Sequence, residues 1–89
     1  MIKTTKDIDC GIPCADFECV NTFPEYSARL HANTAEFYYR NMLEFELDLD
    51  FQAWQRLEFE DAVKDALIDW AEFDGNPISA LKRHIKEMA

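Results

Sequence analysis

Eighty-nine residues provide for one domain, with no room for a second core. An apolar fraction of 48%, with seven Phe, three Tyr and two Trp, excludes a disordered acidic tail. Eighteen acidic against nine basic residues leave a formal charge of -9, a field that repels nucleic acid and anionic membranes and attracts basic protein surfaces.

No apolar run approaches the ~20 residues that a membrane-spanning helix needs, and the stretch Met1 to Asp9 lacks the hydrophobic segment of a secretory signal. A cytoplasmic setting is therefore expected. Three cysteines, an odd number, fit a reducing compartment better than a disulfide scaffold.

In chain order, residues 1–22 are mixed, with Gly11 and Pro13 interrupting any long element. Weak alternation in Asp16-Phe17-Glu18-Cys19-Val20 admits a short strand or extended segment. Residues 24–47 read as one long helix. Pro24 suits a first turn and Glu25 the positive end of the helix dipole. At 100° per residue, Ala28, Ala32, Ala35, Tyr38, Tyr39, Met42 and Phe45 gather on one face. Glu25–Arg29, Glu36–Arg40 and Arg40–Glu44 form i,i+4 pairs on the other. Asn33-Thr34 is the one place where this helix would break.

Asp48-Leu49-Asp50 reads as a turn and N-cap. From Phe51 to Phe73 the period resumes, with Phe59, Ala62, Val63, Ala66, Leu67, Trp70 and Phe73 on the inward face. Asp74-Gly75 ends this helix, and Asn76-Pro77 restarts one as N-cap and first helical position. Residues 77–88 then place Ile78, Leu81, Ile85 and Met88 on one side. The expected fold is all-α or nearly so: a small three-helix domain with helices at about 24–47, 51–73 and 77–88, beneath an irregular N-terminal segment.

Charge is unevenly spread along this chain. Residues 48–74 hold nine acids against Arg56 and Lys64, a net -7, whereas residues 75–89 carry +2. Within the second helix Glu58, Asp61, Asp65, Asp69 and Glu72 fall inside an ~80° arc, forming a stripe ~21 Å long with one carboxylate per ~5 Å. A single strand of duplex DNA carries one phosphate per ~3.4 Å of axis, so the stripe is a sparser line of charge on a rigid rod. Asp48, Asp50 and Asp74 extend it at its ends, and Glu44 and Glu46 precede it. Like charges at i,i+4 cost a helix a few tenths of a kcal/mol per pair. The first predicted helix interleaves arginines with its acids; this one does not. The pattern points to a non-enzymatic module that binds a basic protein surface, such as the nucleic-acid groove of a nuclease or nucleoprotein complex. In size and charge layout the chain resembles the small acidic inhibitors that phages use against host nucleases, restriction enzymes and CRISPR complexes. That resemblance implies inhibition of a nucleic-acid-handling protein by occupation of its basic groove.

Trp54 lies beside the stripe, Ile68 on its other flank, and Leu57 between Ile68 and the core side. They are expected either to be covered by a further layer or to serve as apolar anchors beside the charge. A homodimer is a further expectation, because so short a chain has little covering surface. The competing reading is a dimeric structural or regulatory protein whose acidity serves only solubility.

Other constellations are weaker. Cys10, Cys14 and Cys19 with His31 or His84 offer C-x3-C and C-x4-C spacings, not the paired C-x2-C of a structural zinc site. There is no glycine-rich elbow, phosphate loop or H-E-x-x-H, so neither enzyme chemistry nor a cofactor is implied. The cations Lys82, Arg83 and Lys86, with His84 among them, complement the C-terminal end of their own helix better than they suggest a DNA-reading helix.

Overall fold

The computed structural model describes residues 2–9, 12–19, 23–73 and 75–88. It is not an all-α bundle. The element order is five strands, β1 (Ile2–Asp9), β2 (Ile12–Cys19), β3 (Tyr26–His31), β4 (Thr34–Tyr39) and β5 (Met42–Asp48), then a 3-10 turn at Ala53–Gln55 and two helices, α1 (Arg56–Phe73) and α2 (Pro77–Met88). The strands form one antiparallel sheet in the order β1-β2-β3-β4-β5, a meander in which each strand pairs with its predecessor. The helices lie together on one face, giving a two-layer α+β arrangement.

The expected helix over 24–47 is the principal correction. Its residues form β3, β4 and β5, and the working period is two, not 3.6. Ala28 and Leu30, then Ala35 and Phe37, are buried inward positions; the residues between them face away from the helices. Two tight turns make this possible. His31 pairs with Thr34 across Ala32-Asn33, and Tyr39 pairs with Met42 across Arg40-Asn41. Ala32 takes φ 52°, and Arg40 and Asn41 take φ 52° and 64°, the twisted geometry that two-residue hairpins require. Tyr38 and Met42, assigned above to a core face, are not core residues: Tyr38 belongs to the sheet's open face and Met42 is 68% exposed. The N-terminal segment is likewise not irregular. Residues 2–9 and 12–19 form a full hairpin, with Ile2 opposite Cys19 and Asp9 opposite Ile12.

The two C-terminal helices match their expected ends. α1 stops at Phe73, and α2 spans Pro77 to Met88 with Asn76 as its cap: Ile78 N–H donates to Asn76 Oδ1 at 2.8 Å. Asp74 lies outside the described residues. The start of α1 is later than Phe51, and the cap is not in Asp48-Leu49-Asp50. Asp48 closes β5, and Gln52 initiates the 3-10 turn through reciprocal contacts with Gln55. Phe73, counted above with the inward face, is 73% exposed.

The core lies between the sheet and α1. Phe59, Ala62, Val63, Ala66, Leu67 and Trp70 are buried against Phe17, Leu30 and Phe37. The Trp70 indole meets the rings of Tyr26, Phe45 and Phe37 edge-on, at 4.8, 5.7 and 6.1 Å between centroids. At the opposite end of α1, Phe51 and Phe59 stack at 4.5 Å. Leu81 anchors α2 in the same core, with Ile78, Ile85 and Met88 packed around it. No helix among the described residues is long and apolar enough to cross a membrane.

Candidate functional site: the solvent side of α1

The start of α1 is fixed to the sheet by polar contacts. The Arg56 guanidinium donates to the Leu30 and Ala32 carbonyl oxygens at 2.9 and 2.6 Å, where β3 turns into β4. Its Nε also meets Glu60 Oε2 at 3.0 Å, and Lys6 Nζ reaches Glu60 Oε1 at 3.1 Å. Glu60 is thus a buried carboxylate with two cation partners. Sequence reasoning assigned it no role. The Arg56–Glu60 spacing was a visible i,i+4 pair, but Lys6 comes from the far end of the chain.

With the inward face of α1 fixed by Phe59, Val63, Leu67 and Trp70, the opposite side points to solvent. Glu58, Asp61, Asp65 and Glu72 are exposed there. Asp69 departs from the expected stripe. It turns toward α2, where Oδ2 accepts from Arg83 Nη2 at 2.8 Å and lies 3.0 Å from His84 Nε2. Its charge therefore ties the two helices together. This breaks the stripe: Glu58, Asp61 and Asp65 span ~10 Å, and a gap of similar length precedes Glu72. The even, DNA-like spacing expected from the sequence is not kept. Among the described residues, the one cation paired with any of these four carboxylates is Lys64, 3.8 Å from Asp61.

The flanking acids sit differently. Asp48 accepts a hydrogen bond from the Thr34 hydroxyl at 2.9 Å, and Asp50 is exposed in the connection to the helical layer. Glu44 and Glu46 are exposed on β5. Trp54 (78% exposed) and Leu57 (65%) project beside α1. Leu57 is on the flank of α1 that faces β1, the flank shared with Glu60 and Lys64. Trp54 and Leu57 line an open groove of about 740 Å³ with Lys6, Pro13 and Glu60. They adjoin the acidic face and do not interleave with it.

The sheet's other face is uncovered by helices and polar. A shallow depression of about 420 Å³ is lined by Lys3, Thr5, Asp16, Arg29, Tyr38 and Asn41. Arg29 Nε donates to Asp16 Oδ1 at 2.6 Å, a bond that lifts the guanidinium further above its ordinary value. Burial, then the neighbouring Glu36, pushes the Tyr38 phenol up. Cys14 and Cys19 are five residues apart on β2 and so on opposite faces of the sheet, where they cannot share one ion. Cys10, the third member of the conceivable zinc set, lies outside the described residues, and no group of three or more metal-ligating side chains forms among those described. Comparison with protein-family models, curated proteins and solved structures finds no match.

Proposed function

We propose that the protein is a binding module that engages a basic protein surface through the solvent side of α1. The observation that carries this reading is the cluster Glu58, Asp61, Asp65 and Glu72, exposed on one rigid helix with a single paired lysine among the described residues. Glu58, Asp61 and Asp65 lie within ~10 Å of one another, comparable with the ~8 Å screening length at physiological salt, so their fields add at a docking partner. Carboxylates placed in this way steer association and select partner charge more than they add raw affinity. A groove that normally holds nucleic acid is one such surface, and occupying it would inhibit or regulate its owner. Asp48 and Asp50 widen the negative field where the chain enters the helical layer.

The test is affinity capture from the natural lysate with the wild-type chain and with a variant carrying Glu58→Gln, Asp61→Asn, Asp65→Asn and Glu72→Gln. These sites are exposed, so the variant keeps its fold. A partner held by the wild type at low salt, released at high salt and lost by the variant supports the reading, and displacement by duplex DNA then identifies a nucleic-acid groove. Equal retention by both chains means that the acidity serves only solubility, as in the competing reading.

A further inference from the structure

The pairing of β5 with β4 contains one irregularity. Phe45 lies opposite Phe37 and Leu43 opposite Tyr38, so Glu44 is an extra residue on β5. Regular alternation would turn Glu44 to the face opposite Phe45. A bulge breaks that alternation and re-aims a side chain. Here Glu44 and Phe45 both line an open depression of about 550 Å³ on the helix side of the sheet.

The other walls of this depression are aromatic. Tyr26, at the start of β3, stands opposite Tyr39, at the end of β4, and buried Trp70 of α1 forms the floor. The Tyr26 and Phe45 rings meet the Trp70 indole at 87° and 88°, and Tyr26 meets Tyr39 at 62°. Rings held at such steep angles wall a space and do not close it as a stack. An aromatic face carries negative potential and attracts a cation within about 6 Å of its centroid. The chain already uses Tyr39 in this way: the Arg40 guanidinium carbon lies 5.3 Å from the ring centroid. Arg40 itself is not among the described residues that line the depression.

The charge matches the rings. Glu44 is the one charged side chain among the described residues lining the depression. No cation among the described residues pairs with it. The N-terminus of α2 reaches the rim at Asn76, but its positive end is already capped, because Asn76 Oδ1 accepts from the Ile78 and Ser79 N–H groups. A lone carboxylate set among aromatic rings suits an organic cation. A primary ammonium brings three N–H donors that each need an acceptor. A fully methylated ammonium brings none and presents methyl groups to ring carbons, which suits walls that hold a single carboxylate.

We infer that this depression binds a quaternary ammonium group, with Tyr39, Phe45 and Trp70 against its methyl groups and Glu44 facing its charge. The inference does not rest on what the solvent side of α1 binds. The same chemistry is carried by a free choline-like molecule and by a trimethylated lysine side chain.

Trp54 is mostly exposed, so Trp54→Phe leaves Trp70 as the sole tryptophan with the fold intact. Its emission is followed at constant ionic strength during titration with choline, with N-acetyl-trimethyllysine amide, and with 3,3-dimethyl-1-butanol, the uncharged carbon counterpart of choline. A saturable change is expected with an ammonium, at dissociation constants of about 1–10 mM, and binding of the uncharged alcohol at least about tenfold weaker. Tighter binding of choline assigns the site to a free ligand, and tighter binding of the trimethyllysine compound assigns it to a modified side chain. Glu44→Gln alters an exposed residue and should weaken binding at least about threefold, as should Tyr39→Leu, with circular dichroism unchanged. An equal response to the uncharged alcohol overturns the inference. So does the lack of a saturable response to either ammonium up to about 50 mM, and so does binding indifferent to Glu44→Gln and to Tyr39→Leu.

Discussion

Buried charge in this molecule is concentrated on Glu60, which has a cation on each side. Glu60→Gln keeps the shape but removes the charge that Lys6 and Arg56 share. A loss of about 1–3 kcal/mol in denaturant unfolding is expected. Arg56→Ala should cost more, about 3–5 kcal/mol, because it strands a buried carboxylate and uncaps the Leu30 and Ala32 carbonyls. The pH dependence runs toward alkaline loss. Burial raises Cys19 above the ordinary thiol value of 9.0, and burial followed by Glu36 raises Tyr38 above the ordinary phenol value of 10.0. Below those values both groups are protonated in folded and unfolded chains, and their contribution is complete. Above them the unfolded chain releases the proton first, so stability falls as pH rises through the folded values. Thermal melts from pH 8 upward should show that decline, and Cys19→Ala should flatten its first part.

At the scale of elements, the hairpin turns and the helix pair carry the distinctive chemistry. Ala32 holds φ 52° without the glycine or asparagine that such a turn prefers. Ala32→Gly is expected to raise stability by about 0.5–1 kcal/mol, and Ala32→Val to lower it by more than about 1 kcal/mol. The helix pair is closed by Asp69 with Arg83 and His84. Asp69→Asn should loosen α2 by about 0.5–1 kcal/mol, with a difference that shrinks in high salt. Amide exchange in α2, measured against α1, would report it. Had Asp69 served a partner instead of α2, the same substitution would weaken capture and leave α2 exchange unaltered.

For the whole molecule, the sheet and the helices divide the work. The helical layer and the inward sheet face make the core, while the solvent side of α1 is exposed and β1 is an edge strand. α1 and α2 were legible in the sequence because their signals are local. Asn76-Pro77 caps one helix, and apolar residues recur at helical spacing from Phe59 to Trp70. The exposure of Glu58, Asp61, Asp65 and Glu72 was legible too, but the continuous stripe was not, because the partner of Asp69 lies on another element. β3 to β5 were not. Tyr26 to Asp48 is rich in Ala, Leu, Glu and Arg, good helix formers, and Ala28, Ala35 and Phe45 fit an inward face at either period. Its turns, Ala32-Asn33 and Arg40-Asn41, lack the Asn-Gly signature of a two-residue hairpin.

The sequence by itself determined an acidic chain, two C-terminal helices with their inward faces apart from Phe73, and the carboxylates Glu58, Asp61, Asp65 and Glu72 on the solvent side of α1. These depend on contacts within a few residues, which composition and spacing record. The tertiary structure decided that residues 2–9, 12–19, 26–31, 34–39 and 42–48 form a sheet, that Asp69 of α1 is bonded to α2 and that Glu60 is an internal charge. It also decided that Trp54 overlooks β1. A strand is stable only when paired and covered, and its partners here lie up to 17 residues away in the hairpins and farther still in the helices that cover them. The choice between strand and helix for the same residues is made by those distant partners.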